Sequence, residues 1–192
     1  GTLWAGTWGG GLTRIRDGVE ERLGNIGLRD SVVLALFTDR AGVVWVGMNT
    51  GGLAAVRDGR VVAAYDTSAG LIHNSVRAIY QTRDGAVWIG TLGGVSRLEG
   101  GRFTTHSAAR GRGLSSLHVR AFHEDVDGNL WIGTYGGGLN VLRGDSIVVI
   151  RQRDGLAEDI VSSILEDEFG RLWMSGNLGI ARVSRRDLLR FA

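Results

Sequence analysis

Cysteine, proline and lysine are all missing from this chain of 192 residues. The lack of cysteine fits an extracytoplasmic location without arguing for it, since many cytosolic proteins also have none. The 22 basic residues are all arginine and are interspersed with 20 acidic residues, so the net charge is only +2. Because the arginines form no basic cluster, we expect no nucleic-acid partner.

Long apolar runs are missing as well. No stretch approaches the roughly 20 residues that span a bilayer, and the N-terminus has no charged segment leading into an apolar one, so we expect no signal peptide in these residues. The apolar fraction is nonetheless 43%, which is enough for one substantial core. The composition predicts a single globular unit.

A repeat with a period of about 43 residues runs through the chain. Each copy contains a tryptophan followed by a glycine-rich turn, as in VWIGTLGGV at 87–95 and LWIGTYGGGL at 130–139. The five repeat tryptophans are spaced 41, 43, 43 and 42 residues apart: Trp4, Trp45, Trp88, Trp131 and Trp173. The repeats are predicted to span residues 1–27, 28–70, 71–113, 114–155 and 156–192.

Each period predicts four short β-strands. A glycine lies three residues before the repeat tryptophan and closes a polar turn, and apolar strand residues lie nine and twelve residues before it. The third period reads as strands at Ser75–Thr82, Val87–Thr91, Val95–Leu98 and Arg102–His106. Four antiparallel strands every 40 to 50 residues are typical of a β-propeller blade. The fold class is therefore predicted to be all-β, a propeller of four-stranded antiparallel blades.

The pattern Val-x-x-Ile-x-x-x-x-Asp-Gly-x-Leu/Val-Trp-Ile-Gly-Thr-x-Gly-Gly-Leu, nearly intact at 76–95 and 119–139, resembles the two-component regulator propeller repeat. The resemblance implies the periplasmic sensor of a membrane-bound hybrid histidine kinase or diguanylate cyclase, often one that responds to glycans. It also implies a short helix in the segment 179–192. The implied partners are a small-molecule, glycan-like ligand and the remaining blades and signalling domains of the same receptor.

The chain departs from that family in its number of blades. The family has seven or more, whereas five repeat tryptophans occur here, and the first lies at position 4 with no inner strand before it. We therefore expect an incomplete arc of about four to five blades from a larger propeller, with a closed small propeller as the alternative. The unpaired edges of an arc invite self-association, so a homodimer is a further expected partner.

Two motifs have competing interpretations. The glycine segments GTLGGV and GTYGGGL resemble phosphate loops, but a strand follows each of them where a phosphate loop needs a helix. The run Asp125-Val126-Asp127-Gly128-Asn129 resembles a Ca²⁺ loop, but the equivalent turns of other repeats lose its oxygen ligands and no bidentate Glu follows. A hairpin turn is the favoured interpretation. We expect no cofactor and no metal site.

No catalytic residue stands out. The four histidines fall at different repeat positions without metal-ligand spacing, and no Gly-x-Ser-x-Gly segment is present. His123 takes an inner-strand position that Phe37 and Tyr80 fill in other repeats, which indicates a packed core residue. The repeat tryptophans are predicted to pack between blades, because they recur at one phase within apolar strands. The segment is thus predicted not to be an enzyme.

Ligand recognition is expected where the repeat varies. The loop before the first strand of a blade and the turn between its second and third strands lie on one face, and variable positions there are recognition candidates. They are Trp8, Asn49, Asn74, Arg77, His118, Arg120, Tyr135 and Asn177. Their aromatic, amide and guanidinium groups suit a sugar or a uronic acid. A protein-binding or dimerisation scaffold and a propeller lyase are the two alternative functions.

Overall fold

The computed structural model describes residues 1–24, 26–107 and 113–191, and these form five antiparallel sheets whose strands pair in chain order. The first sheet contains β1 (Thr2–Thr7), β2 (Gly11–Arg16) and β3 (Val19–Gly24). The second sheet contains β4 (Val33–Thr38), β5 (Val44–Met48), β6 (Leu53–Arg57) and β7 (Arg60–Tyr65). The third sheet contains β8 (Val76–Gln81), β9 (Val87–Thr91), β10 (Val95–Glu99) and β11 (Arg102–His106). The fourth sheet contains β12 (Val119–Glu124), β13 (Leu130–Thr134), β14 (Leu139–Arg143) and β15 (Ser146–Ile150).

The fifth sheet ends in a helix. Its strands β16 (Ser163–Glu166), β17 (Arg171–Gly176) and β18 (Gly179–Ser184) are followed by α1 (Arg185–Phe191), where the family resemblance implies a short helix. Leu188 of α1 is buried against the core that lies between the fourth and fifth sheets. The helix α1 therefore follows the third strand of the fifth sheet, where the second, third and fourth sheets have a fourth strand.

The predicted blade is confirmed, since the strands of the third sheet begin and end within one residue of the predicted bounds. Trp4 lies on β1, so the first sheet corresponds to the second, third and fourth strands of a blade. The sheets are hereafter called blades one to five.

The blades pack face to face through the repeat tryptophans. Trp45, Trp88 and Trp131 are buried, each in a cluster shared with the following blade; Trp131, for example, packs with Ile164 and Leu172. Buried aromatics dominate such contacts because they bury large apolar areas. Trp173 of blade five is 39% exposed, because no further described blade covers its face. The prediction of a packing role is confirmed for the three central tryptophans.

In blades two to five, the turn between the first two strands accepts a hydrogen bond from the indole N–H of the repeat tryptophan. In blade four, Trp131 Nε1 donates to Asp125 Oδ2 over 2.9 Å, and the other carboxylate oxygen accepts the backbone N–H groups of Asp127 and Asn129. This bonding pattern is that of a hairpin turn, as favoured from the sequence. Burial alone would raise the pKa of Asp125, but the hydrogen bonds from Asn129 and Trp131 outweigh it and hold that pKa below its usual value.

Glycine N–H groups join neighbouring blades at the opposite rim. Gly52, Gly94 and Gly138 follow the second strand of their blades and donate to carbonyl oxygens of Asn74, Leu117 and Asp159 in the next blade, over 2.8 to 3.0 Å. All three glycines have φ between +77° and +118°, a region that other residues rarely adopt. The glycine-rich turn of the repeat is thus an inter-blade hydrogen-bonding element.

The five blades form an open arc. Blade five leaves apolar side chains uncovered on its outer face, with Leu165 68%, Leu178 78% and Ile180 76% exposed. Blade one likewise exposes Leu3 and Val19. The arrangement agrees with the expected incomplete arc and not with the alternative of a closed small ring. No helix in the described part of the chain is long and apolar enough to cross a membrane.

Candidate functional site

A cleft runs along the concave side of the arc, where the inner strands β4, β8, β12 and β16 lie next to one another. It is hereafter called the inner-strand cleft, and its lining residues include Leu34, Arg77, Arg120, Ser162 and Ser163. The lining also contains small and apolar side chains such as Ala78 and Ala121. The arginines therefore provide its charged groups.

A β-bulge positions the first cleft residue of three inner strands, β4, β8 and β12. The pairing register shifts between Val33 and Ala35, between Val76 and Ala78, and between Val119 and Ala121, which is the same step in three blades. A bulge adds one residue to its strand and redirects the local side chains. Leu34, Arg77 and Arg120 are the bulged residues, so two guanidinium groups face the same cleft from adjacent blades.

Arg77 has no acidic partner among the described residues. Its Nε donates to Ser75 Oγ over 3.2 Å, and it takes part in no ion pair with a described carboxylate. Burial, and after it the positive charge of Arg120, lowers the pKa of Arg77. The two arginines are therefore close enough for their charges to repel each other.

Arg120 is held by an aromatic ring. Its guanidinium carbon lies 5.2 Å from the centre of the Tyr135 ring, within the range of a cation–π contact. Its Nε is buried and has no hydrogen-bond partner in the part of the chain that the structure describes. A buried donor without a hydrogen-bond partner lowers the stability of the folded protein.

His118 lies beside this pair. The backbone N–H of Tyr135 donates to the His118 carbonyl oxygen over 2.9 Å, and the side chain of His118 is exposed. The structure thus brings four of the eight predicted recognition residues together at blades three and four: Arg77, His118, Arg120 and Tyr135.

The other four predicted residues do not join this group. Asn74 has a structural contact, because its Oδ1 accepts the Thr67 N–H over 2.9 Å. Asn49 and Asn177 donate their backbone N–H groups to Val32 and Glu158 within their own blades. Trp8 is 76% exposed on blade one. None of these four residues lines the cleft.

The opposite rim holds a charged cluster that the sequence did not indicate. His123 Nε2 lies 2.7 Å from Glu166 Oε2, and the other Glu166 oxygen lies 2.9 Å from Arg185 Nε. Arg185, at the start of α1, also contacts Asp125 and Asp127. The interpretation of His123 as a packed core residue is wrong, because Glu166 of the next blade offers it a polar partner.

This cluster replaces a contact made at the earlier blade junctions. Arg40 donates to the carbonyl oxygens of Thr82 and Arg83 in the next blade, and Arg83 donates to those of Asp125 and Val126. Val126 follows in the same repeat position and has no side-chain donor. Arg185 supplies the missing guanidinium from α1, which explains the cluster as a blade-joining feature. The sequence does contain one signal for this cluster, since Val126 stands at the repeat position that arginine occupies in the two preceding blades.

The described residues contain no group of three or more His, Asp or Glu side chains that could hold a metal ion. His123 hydrogen-bonds Glu166 of the next blade, and Arg185 of α1 forms an ion pair with Glu166. The inner-strand cleft can bind a ligand through guanidinium groups and serine hydroxyls, with the Tyr135 ring beside Arg120.

Four-stranded blades, a buried tryptophan in each central blade and a polar cleft along the inner strands define a β-propeller segment. The profile of the two-component regulator propeller matches residues 27–50, 70–93, 113–136 and 155–177. The chain belongs to this family, as the sequence resemblance predicts.

Solved structures with the same fold include extracellular domains of two-component systems. The chain is 24% identical to the domain of the hybrid two-component system BT3049 from B. thetaiotaomicron, with a TM-score of 0.78 over 97% of this chain and 27% of that one. The chain is 20% identical to the corresponding domain of BT4673 from the same organism, with a TM-score of 0.75 over 94% of this chain and 25% of that one. This chain spans about a quarter of the length of these domains.

A lyase shares the fold as well. Virginiamycin B lyase from Staphylococcus aureus is 16% identical, with a TM-score of 0.75 over 96% of this chain and 64% of the lyase. Identities at this level show a common fold alone. No curated protein sequence matches the chain.

Proposed function

We propose that this chain is a ligand-sensing propeller segment in the periplasmic part of a bacterial membrane receptor, a hybrid histidine kinase or diguanylate cyclase. The main supporting observation is that Arg77 and Arg120 line one cleft at a repeat position where blades two and five have Leu34 and Ser162, with the Tyr135 ring beside Arg120. The extracellular domains of two-component systems have the same fold. The catalytic signalling domains belong to other parts of the receptor.

The proposed ligand is a carbohydrate or another small polar molecule. Tyr135 is 43% exposed, and its ring provides a flat apolar surface of the kind on which a sugar ring stacks. The arginines beside it donate several N–H groups in a fixed geometry, which suits hydroxyl and carboxylate oxygens. The hydroxyls of Ser162 and Ser163 add exposed polar groups from blade five.

The receptor assignment is tested by the gene sequence on either side of this segment. We expect further propeller repeats, a membrane span and a kinase or cyclase domain in the same polypeptide. A reading frame that contains no membrane span and no signalling domain would refute the receptor assignment.

Ligand binding is tested by a thermal-shift screen of oligosaccharides against the complete propeller region. A bound glycan should raise the unfolding midpoint of the wild type, and Tyr135→Ala should abolish the rise. Phe169→Ala is the matched control, because Arg171 lies 5.2 Å from the Phe169 ring centre in the same type of contact, away from the cleft. No shift with any glycan would contradict carbohydrate sensing.

A scaffold function is the second proposal, and the exposed outer face of blade five favours it. Ile180 of β18 is 76% exposed and Leu178 of the preceding turn is 78% exposed, and exposed apolar side chains that lie together are typical of an interaction site. Sedimentation of the complete receptor ectodomain distinguishes the proposals. A dimer that Ile180→Asp dissociates supports the scaffold, whereas a monomer at high protein concentration contradicts it.

A further inference from the structure

We infer that the ligand of the inner-strand cleft carries an anionic group, a carboxylate, sulfate or phosphate, which binds between the guanidinium groups of Arg77 and Arg120. The inference rests on the proposed ligand-binding function and specifies the chemistry of the ligand. Its basis is a pair of positive charges that have no counter-charge among the residues that the structure describes.

The lining of the cleft contains two arginines and no acidic residue within the described ranges. Two other partly buried arginines do have carboxylate partners: Arg97 contacts Asp84 and Glu99, and Arg185 contacts Asp127 and Glu166. Two cationic side chains that face each other without a counter-charge destabilise the unliganded protein. A bound anion removes this repulsion.

Burial increases the free-energy cost of leaving Arg77 and Arg120 without a counter-charge. Arg77 and Arg120 are both half-buried, and the Nε of Arg120 is fully covered without a hydrogen-bond partner. The Tyr135 ring lies against the Arg120 guanidinium, with its centre 5.2 Å from the guanidinium carbon. A planar fork of donors in this position suits the bidentate oxygens of an anion.

The repeat argues against a structural role for the pair. The bulge that carries Arg77 and Arg120 also occurs in blade two, where the bulged residue is Leu34, and the matching residue of blade five is Ser162. Since the bulge forms with leucine, the fold does not need a guanidinium there. The two charges are additions to a scaffold that is complete without them.

Isothermal titration at low ionic strength tests the inference with a matched pair of sugars, glucuronate and glucose, and with inorganic sulfate and phosphate. We expect glucuronate to bind at least tenfold more tightly than glucose, and added salt to weaken glucuronate binding more than glucose binding. The sulfate and phosphate arms show whether the anion is recognised without a sugar ring.

Charge-removing variants locate the binding. Arg77→Gln combined with Arg120→Gln should reduce glucuronate affinity to the level of glucose, while Arg102→Gln, an exposed arginine on β11, should leave it unchanged. The double variant should unfold at a midpoint no lower than the wild type, because neither arginine has an acidic partner to lose. Inorganic sulfate should raise the unfolding midpoint of the wild type more than that of the double variant. This comparison removes the general stabilising effect of sulfate, because that effect is the same in both proteins.

The outcomes separate the inference from the proposed function. Equal binding of glucose and glucuronate, or unchanged glucuronate binding in the double variant, overturns the anionic ligand and leaves polar-ligand sensing in place. Arginine-dependent binding of sulfate or phosphate without any sugar binding supports the anionic site and contradicts the carbohydrate ligand. If no probe binds, both are contradicted.

Discussion

Asp125 illustrates how single residues at constant repeat positions hold a blade together. Its side chain is fully buried and accepts hydrogen bonds from the Trp131 indole, from Asn129 and from the Asp127 backbone. Asp39 and Asp167 bind their own repeat tryptophans in the same way. The carboxylate therefore fixes both the turn and the position of the aromatic ring that packs on the next blade.

Replacing Asp125 with asparagine should lower the free energy of unfolding at pH 7 by roughly 2 kcal/mol or more, because charge-assisted hydrogen bonds to a buried group are lost. The pKa of Asp125 is depressed in the folded protein. The stability that it contributes is thus fully present above about pH 4, the unfolded-state pKa, and is lost as pH falls through the folded pKa.

Urea unfolding at several pH values measures this effect. The gap between wild type and Asp125→Asn should be constant from pH 7 to pH 5 and should narrow below about pH 4. The exposed Asp145→Asn serves as the control and should show almost no gap. A gap for Asp125→Asn that does not depend on pH would contradict the role assigned to the charge.

Trp88 and Trp173 occupy the same repeat position but differ in burial. Trp88 is 6% exposed and Trp173 is 39% exposed. Replacing Trp88 with alanine should cost about 3–5 kcal/mol, as is usual for a large core cavity. Trp173→Ala should cost no more than about 2 kcal/mol, since less apolar area is lost. Chemical denaturation compares them, and equal losses would show that inter-blade burial is not the cause.

At the scale of strands and turns, the repeat predicted the blade closely because its signals are local. Alternating apolar residues, the glycine before each repeat tryptophan and the glycine-rich turn each specify a strand or a turn within a few residues. The bounds of β8 and β9 follow from them. The helix α1 was expected from the family resemblance and not from the repeat.

The site could be predicted only in part, because contacts between blades are not encoded in a local pattern. The equal phase of Arg77 and Arg120 placed both at the mouth of the channel, but nothing in the sequence shows the bulge that directs them into one cleft. Asn74 was selected by position, although its side chain binds Thr67. The partner of His123 lies 43 residues away, one full repeat, and was missed for that reason.

The glycine turns allow a matched test of the inter-blade hydrogen bonds. Gly85 and Gly94 both have positive φ, but an added Cβ meets nothing within 4 Å at Gly85 and lies 2.6 Å from the His106 carbonyl oxygen at Gly94. Gly85→Ala should cost about 1–2 kcal/mol from backbone strain. Gly94→Ala should cost about 1–3 kcal/mol more from overpacking.

Denaturant unfolding with hydrogen exchange at Gly94 and its neighbours checks this prediction. Gly94→Ala should also increase exchange in the loop that precedes β12, because the Gly94 N–H bonds to Leu117 there. If Gly85→Ala proved as harmful as Gly94→Ala, the turn glycines would be needed for backbone conformation alone.

At the scale of the whole molecule, the exposed outer face of blade five is the main feature still without a described partner. We propose that a further blade of the same receptor covers it, as each central blade is covered by the next, whereas under the scaffold proposal a second copy would cover it. The extracellular domains with this fold are about four times as long as the present chain.

This proposal predicts that one substitution has different effects on stability in the 192-residue chain and in the complete ectodomain. Trp173→Ala should be mild in the 192-residue chain but should cost about 3–5 kcal/mol in the complete ectodomain, where the next blade would bury the ring. Thermal or chemical unfolding of both lengths, with Trp88→Ala as the reference, provides the measurement. A mild effect in both lengths would mean that blade five ends the packed arc.

The central claim is that constant repeat positions hold the blades together, while the varying residues of the inner-strand cleft bind the ligand. The most direct test is the unfolding midpoint of the complete ectodomain, with and without a panel of neutral and acidic saccharides, in the wild type and in the Arg77→Gln, Arg120→Gln double variant. We predict a midpoint that rises with at least one acidic saccharide in the wild type and does not rise in the double variant. A rise that persists in the double variant, or the absence of any rise in the wild type, would contradict the claim.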